Sequence, residues 1–109
     1  MRAWQVRGAG EPAEVLELVE VGLPEPAPGQ IRARVTAAGL GLPDVLMCRG
    51  DYPLTPPLPF TPGQEFTGVV TAAGDGAGLA VGDRVMGVSA FYLGTGSLAE
   101  ECLADPGNC

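Results

Sequence analysis

The sequence contains no histidine and no lysine, and only three cysteines without a CxxC spacing. Six arginines therefore carry all the positive side-chain charge against thirteen acidic residues, and the net charge is −7. Because the arginines are scattered, this acidic chain is not expected to bind nucleic acid. The cysteine pattern argues against a disulfide framework or a zinc ribbon and favours reduced thiols.

Long hydrophobic runs are also missing. No apolar stretch is long enough to cross a bilayer, and the N-terminus lacks an apolar core of signal-peptide length. We therefore predict a cytoplasmic protein without a membrane partner. The chain does contain 17 glycines and 11 prolines, which are scattered along its length. Its length is enough for one domain, over residues 1–109. A high content of scattered glycine and proline favours short strands joined by turns over long helices.

Strand-like segments recur along the chain. The clearest covers residues 30–38, where Ile31, Ala33 and Val35 alternate with polar residues. A short helix is expected at residues 44–49, with Pro43 in its first turn. The pattern predicts a mainly β, closed or nearly closed architecture. Its expected strands are residues 2–7, 15–21, 30–38, 65–73, 84–89 and 97–103, with a hairpin-length turn at 8–12 and a helical turn as an alternative for the last segment.

The segment Leu58–Val70 reads LPFTPGQEFTGVV. Its pattern LPFxPGxExxGxV resembles the medium-chain dehydrogenase/reductase superfamily. Further matching segments in the same order are AAGL at 37–40, RGDYP at 49–53 and GDRV at 82–85. The chain is most similar to the quinone oxidoreductase-like branch. The resemblance implies an N-terminal GroES-like, partly open β-barrel with one or two short helices. In the family a Rossmann domain follows, which these residues lack, and we expect a truncated chain.

The metal-binding positions of the zinc-dependent relatives are occupied differently here. In those relatives a histidine stands between Pro-Gly and Glu, and a cysteine follows the Ala-Gly step. The matching residues are Gln64 and Gly41, and Cys48 is displaced by seven residues from the cysteine position. Zinc selects thiolate, imidazole and carboxylate over a neutral amide. The resemblance therefore implies the zinc-independent branch and no metal site.

Gly41, Asp44, Tyr52 and Glu65 are the candidate residues of a substrate and cofactor cleft, and none is assigned a certain catalytic role. In quinone oxidoreductases the position of Gly41 is commonly an asparagine near the nicotinamide. Tyr52 lies on the cleft wall in the family, where its phenol would hydrogen-bond a substrate carbonyl; the alternative is a ring packed on a proline loop. Asp44 and Glu65 are expected to lean inward. Either would be a general acid or base if buried, but the alternatives of helix capping or pairing with Arg49 are favoured.

The resemblance implies the N-terminal cleft domain of an NADPH-dependent quinone or enone oxidoreductase, a homodimer when full length. The glycine-rich residues 74–78 follow a strand but precede no helix, so that they are not a dinucleotide fingerprint. NADPH would be bound mainly by the Rossmann domain, and this chain alone is expected to be inactive. The alternative is a non-enzymatic, reductase-like binding or structural module, which Gly41 and the early end of the chain favour.

Overall fold

The computed structural model describes the whole chain, Met1–Cys109. Neither α-helix is long and apolar enough to cross a lipid bilayer. Two single-turn 3-10 helices, Phe91–Leu93 and Pro106–Asn108, complete the structure. The elements in chain order are β1 (Arg2–Val6), α1 (Pro12–Val15), β2 (Leu16–Glu20), β3 (Ile31–Gly39), α2 (Leu42–Arg49), β4 (Glu65–Ala73), β5 (Arg84–Val88) and β6 (Glu101–Ala104).

The strands form two antiparallel sheets. One contains β1 and β2, and the other has the order β5-β4-β3-β6. The larger sheet curls so that its two edges meet: Ser89, just after β5, forms an antiparallel bridge with Ala104 of β6. The N–H of Ala90 also donates to the carbonyl of Leu103 at 2.6 Å. These contacts confirm the predicted mainly β, partly open barrel with short helices.

Two apolar clusters hold these elements together. Apolar and polar side chains alternate along β3 and β4, so that one face of the curled sheet points inward. Together with β6 these strands form the first cluster, which consists of Ile31, Ala33, Phe66, Val70, Cys102 and Ala104. A second cluster packs α2 against β1 and the loops, through Val6, Met47, Cys48, Phe60 and Phe91. Burying one large apolar side chain contributes about 1.5–3 kcal/mol. The second cluster therefore fixes α2 next to the barrel.

The connection between β1 and β2 differs from the prediction of a hairpin turn. The short helix α1 occupies it, and the carbonyl of Glu11 accepts the N–H groups of Glu14 at 2.9 Å and Val15 at 3.1 Å. Pro12 favours this turn because its ring presets φ at the first helical position. As a result β2 begins at Leu16, not at residue 15.

The predicted strand at residues 97–103 is shifted and divided, and the helical alternative for it is wrong. Its first part pairs with β1: the N–H of Trp4 donates to the carbonyl of Leu98 at 2.8 Å, and that of Glu100 to Arg2 at 3.0 Å. The second part is β6, which pairs with β3. This segment therefore joins the small sheet to the barrel.

Candidate functional site

The site is formed where the loop after β3 approaches the segment before β4. That segment, together with the first residue of β4, covers residues 62–65 and is held by several hydrogen bonds to its backbone. The carbonyl of Gly63 accepts from the hydroxyl of Ser89 at 2.6 Å and from the N–H of Ser97 at 2.9 Å. The carbonyl of Gln64 accepts from the N–H of Ser89 at 2.7 Å, and the carbonyl of Glu65 from the Ser97 hydroxyl at 2.9 Å. The backbone of this segment is therefore fixed.

Glycine is required at position 63. Its φ is +104°, a left-handed value that larger residues rarely adopt. A Cβ atom there would also lie 2.5 Å from Ser97 Oγ and 2.7 Å from the Leu98 nitrogen. Gly63 therefore combines a left-handed backbone conformation with a close approach to the segment at 97–98.

Asp44 joins the two parts of the site. It is 8% exposed, in the first turn of α2. Its Oδ2 accepts from the Gly41 N–H at 2.9 Å, and its Oδ1 accepts from the Gly63 N–H at 3.1 Å. Hydrogen bonds to a carboxylate are roughly twice as strong as those between neutral groups. A single buried side chain thus links the start of α2 to the segment before β4.

Helix capping, one of the alternatives for Asp44, is therefore confirmed, and pairing with Arg49 is wrong. The two side chains stand at opposite ends of α2. Arg49 instead forms two hydrogen bonds with Glu11, at 2.8 and 3.0 Å. Those bonds lower the pKa of the Glu11 carboxyl and raise the pKa of the Arg49 guanidinium.

Glu65 is exposed, so the expectation that its carboxylate leans inward is wrong. Successive residues of a strand face opposite sides, and Phe66 next to it is only 3% exposed in the barrel core. Glu65 pairs in register with Gly39. Its Oε2 lies 2.6 Å from the place where a Gly39 Cβ would be. Glu65 therefore covers the backbone at the end of β3, on the outer face of the sheet.

Tyr52 is half-buried against the second apolar cluster. Its ring makes an edge-to-face contact with Phe91, with 6.2 Å between ring centroids. Its carbonyl accepts from the Thr55 N–H at 3.0 Å and from the Thr55 hydroxyl at 2.6 Å. Phe91 follows Ser89 by two residues, so this stretch connects the Tyr52 ring to the segment 62–65. The packing fits the scaffold alternative for the ring and is compatible with a cleft role for its hydroxyl.

Gln64 holds a feature that the sequence analysis missed. Its side-chain nitrogen Nε2 is buried and has no hydrogen-bond partner. Buried polar groups are nearly always paired, and each exception calls for an explanation. From the sequence, Gln64 was considered only as a residue that cannot bind zinc. Its burial depends on tertiary packing, and no local pattern signals it.

The donor set of the site does not fit a zinc ion. No three His, Cys, Asp or Glu side chains lie together in a way that could hold a metal. Gly41 has no side-chain ligand, and Gln64 has a neutral amide. Cys48 lies in the apolar cluster, where burial and the nearby Asp44 raise the pKa of its thiol and disfavour the thiolate that metals bind.

The glycine-rich residues 74–78 form a turn without a following helix, as predicted. Gly76 and Gly78 have φ values of +74° and +78°. The chain continues from them through a further turn directly into β5. A helix N-terminus that would hold a pyrophosphate is therefore missing at this turn.

Comparisons with known proteins agree with this fold. Residues 27–109 match the family described as "Alcohol dehydrogenase GroES-like domain". Quinone oxidoreductase-like protein 2 of Rattus norvegicus is 41% identical over 117 residues, which cover 94% of this chain and 32% of that protein. The quinone oxidoreductase of Coxiella burnetii has a similar structure, with a TM-score of 0.89 and 31% identity over 99% of this chain and 35% of its own.

A mycobacterial protein solved in complex with NADPH is also similar, with a TM-score of 0.81 and 34% identity over 97% of this chain and 30% of its own. This chain thus spans about a third of the length of these relatives. It belongs to the alcohol dehydrogenase GroES-like domain family, within the medium-chain dehydrogenase/reductase superfamily.

Proposed function

We propose that this chain is the N-terminal substrate-cleft domain of an NADPH-dependent oxidoreductase that reduces a quinone or a conjugated enone. One observation carries the proposal. Asp44 joins two segments that, in this family, line a cleft, and those segments present neutral groups at Gly41 and Gln64. The names of two relatives and the NADPH complex of a third support the class of acceptor and cofactor.

The groups that the site exposes fit a neutral ring. Residues 39–43 contain no cationic side chain that would bind phosphate. Leu40 and Leu42 flank Gly41 and are 75% and 65% exposed. A Cβ at Gly41 would meet only Pro43, at 3.4 Å, so the backbone there is open to close approach. Apolar side chains with a few polar groups are typical of sites for small organic molecules.

A nicotinamide cofactor, when bound, supplies the hydride. The balanced reaction with a quinone converts quinone, NADPH and one proton into hydroquinone and NADP⁺. This chain would contribute a wall that orients the acceptor and excludes water, and the Tyr52 phenol would donate a hydrogen bond to the acceptor carbonyl. We also propose that the complete protein is a cytoplasmic homodimer that binds neither nucleic acid nor membranes.

The test uses the complete protein encoded by the parent reading frame. NADPH consumption is followed with 1,4-benzoquinone and with 2-cyclohexenone, and NADH is used for comparison. We expect reduction of at least one acceptor with NADPH and no activity from the 109-residue chain alone. A complete protein that binds NADPH but reduces neither compound would contradict the proposal. A reading frame that stops directly after Cys109 would favour the non-enzymatic module.

A further inference from the structure

The Gln64 side chain holds a hydrogen-bond donor that the chain itself leaves without an acceptor. Its Nε2 is the one buried side-chain nitrogen or oxygen without a partner. Leaving a buried donor unpaired is unfavourable, because the group loses its hydrogen bonds to water and gains none in return. A ligand that supplies a hydrogen-bond acceptor to this nitrogen would therefore be bound more tightly than one that does not.

The polar side chains of the neighbouring segment are hydrogen-bonded to the backbone and not to Gln64. Both Asp44 oxygens accept backbone N–H groups, one of them from Gly63 next to Gln64. The hydroxyls of Ser89 and Ser97 donate to the carbonyls of Gly63 and Glu65. These bonds fix the backbone on both sides of Gln64, and none of them involves its side chain. A bound molecule that carries an acceptor would pair the Gln64 donor.

The Gln64 amide is able to turn outward. The residue as a whole is only partly buried, although its nitrogen is covered. The terminal torsion of a glutamine is broad, so that rotation of the amide encounters little resistance. Asp44 bonds to both Gly41 and Gly63, and this places the open backbone of Gly41 close to the Gln64 position.

We propose that the Gln64 side-chain amide donates a hydrogen bond to a ring-bound carbonyl oxygen, either of the acceptor substrate or of the nicotinamide carboxamide. This inference rests on the proposed function. Gln64 would select ligands that carry a carbonyl. Where the partner is the acceptor, Gln64 would also stabilise the negative charge that develops on that oxygen during hydride transfer, without a metal ion. A donor placed where charge develops is the usual neutral means of stabilising an oxyanion.

The test compares three variants of the complete protein. Gln64→Met keeps the length of the side chain and removes the donor, whereas Gln64→Glu replaces it with a group that repels a carbonyl oxygen. Gln5→Met is the matched control, since the Gln5 amide lies on β1 and accepts an exposed hydrogen bond from Arg7 at 3.3 Å. The measurements are kcat/KM for 1,4-benzoquinone, Kd for NADPH by fluorescence, and the melting temperature of the unliganded protein.

If the partner is the acceptor carbonyl, Gln64→Met should lower kcat/KM by about a hundredfold with an unchanged Kd for NADPH. If the partner is the carboxamide, the Kd for NADPH should rise by about tenfold or more. In either case Gln64→Glu should be worse, Gln5→Met should match the wild type, and Gln64→Met should melt no lower than the wild type, because an unpaired buried donor is removed.

Two results separate this inference from the proposed function. An active wild type whose Gln64→Met variant stays within about twofold in both kcat/KM and Kd would overturn the role of Gln64 and leave the function intact. An inactive wild type whose NADPH affinity still depends on Gln64 would contradict the function and support the inference. A wild type that neither reduces acceptors nor binds NADPH would overturn both.

Discussion

Replacing Asp44 with alanine removes the carboxylate that joins the start of α2 to the segment before β4. Two hydrogen bonds disappear, to the N–H groups of Gly41 and Gly63. Loss of a helix cap typically costs about 1 kcal/mol. The Gly63 N–H is buried, and leaving such a donor unpaired costs a further ~1–3 kcal/mol. We therefore expect Asp44→Ala to lower the free energy of unfolding by about 2–4 kcal/mol, a large fraction of the ~5–15 kcal/mol available to a domain.

The matched control is Asp83→Ala. The Asp83 Oδ2 also accepts a backbone N–H, that of Ala80 at 2.9 Å, but this bond is exposed. Its loss should cost about 0.5–1.5 kcal/mol, the usual net value of a hydrogen bond. Asp44→Asn provides a second comparison, because its amide keeps one acceptor and presents an NH₂ group to the other N–H. Its stability should lie between that of the wild type and that of Asp44→Ala.

The assay is urea denaturation of each variant, followed by circular dichroism. A change of midpoint with an unchanged slope reports stability alone. If Asp44→Ala and Asp83→Ala are equally stable, or if Asp44→Ala stays within about 1 kcal/mol of the wild type, then the two backbone bonds of Asp44 do not hold the site together.

Three further predictions concern the metal, Tyr52 and the thiols. Elemental analysis of the purified protein should find no stoichiometric zinc, and a full equivalent retained through chelation would refute this. In the complete enzyme, Tyr52→Phe should lower kcat/KM by about a hundredfold if its hydroxyl polarises the acceptor carbonyl, whereas a change within about twofold would leave the ring as scaffold. At pH 8 a thiol reagent should label Cys109 first, because it is exposed while Cys48 and Cys102 are buried. Burial raises the pKa of Cys102 to about 12, so that its thiolate should be about a thousandfold scarcer than that of an ordinary thiol, and fast labelling of this residue would contradict the structure.

The barrel strands were predictable because their signal is local. In β3, alternation of Ile31, Ala33 and Val35 with polar residues follows directly from a sheet with one buried face. The segment at 97–104 was not predictable to the same degree, because its first part pairs with β1 and its second with β3. A change of partner within one extended segment leaves no mark on the order of polar and apolar residues.

The site shows the same division between local and tertiary information. The identities of Gly41 and Gln64 were available from the aligned segments, and the sequence raised both capping and ion pairing for Asp44. Choosing between them required the position of Gly63, which approaches Asp44 only in the folded chain. Glu65 is different. It was expected to lean inward, although a local signal against this was present, because its neighbour Phe66 is strongly apolar and successive strand residues face opposite sides. The burial of the unpaired Gln64 nitrogen is a feature of the folded chain, which no local pattern predicts.

A zinc ion bound at the positions of Gly41 and Gln64 would link the loop after β3 to the segment before β4. In this chain Asp44 makes the same connection by hydrogen bonds to Gly41 and to Gly63, the neighbour of Gln64. The serine contacts fix the rest of the segment. The geometry of the site therefore does not require a metal to maintain it. The side-chain nitrogen of Gln64 makes none of the hydrogen bonds that hold the segment. A fixed backbone that presents an unpaired neutral donor is suited to recognising a carbonyl oxygen by a hydrogen bond.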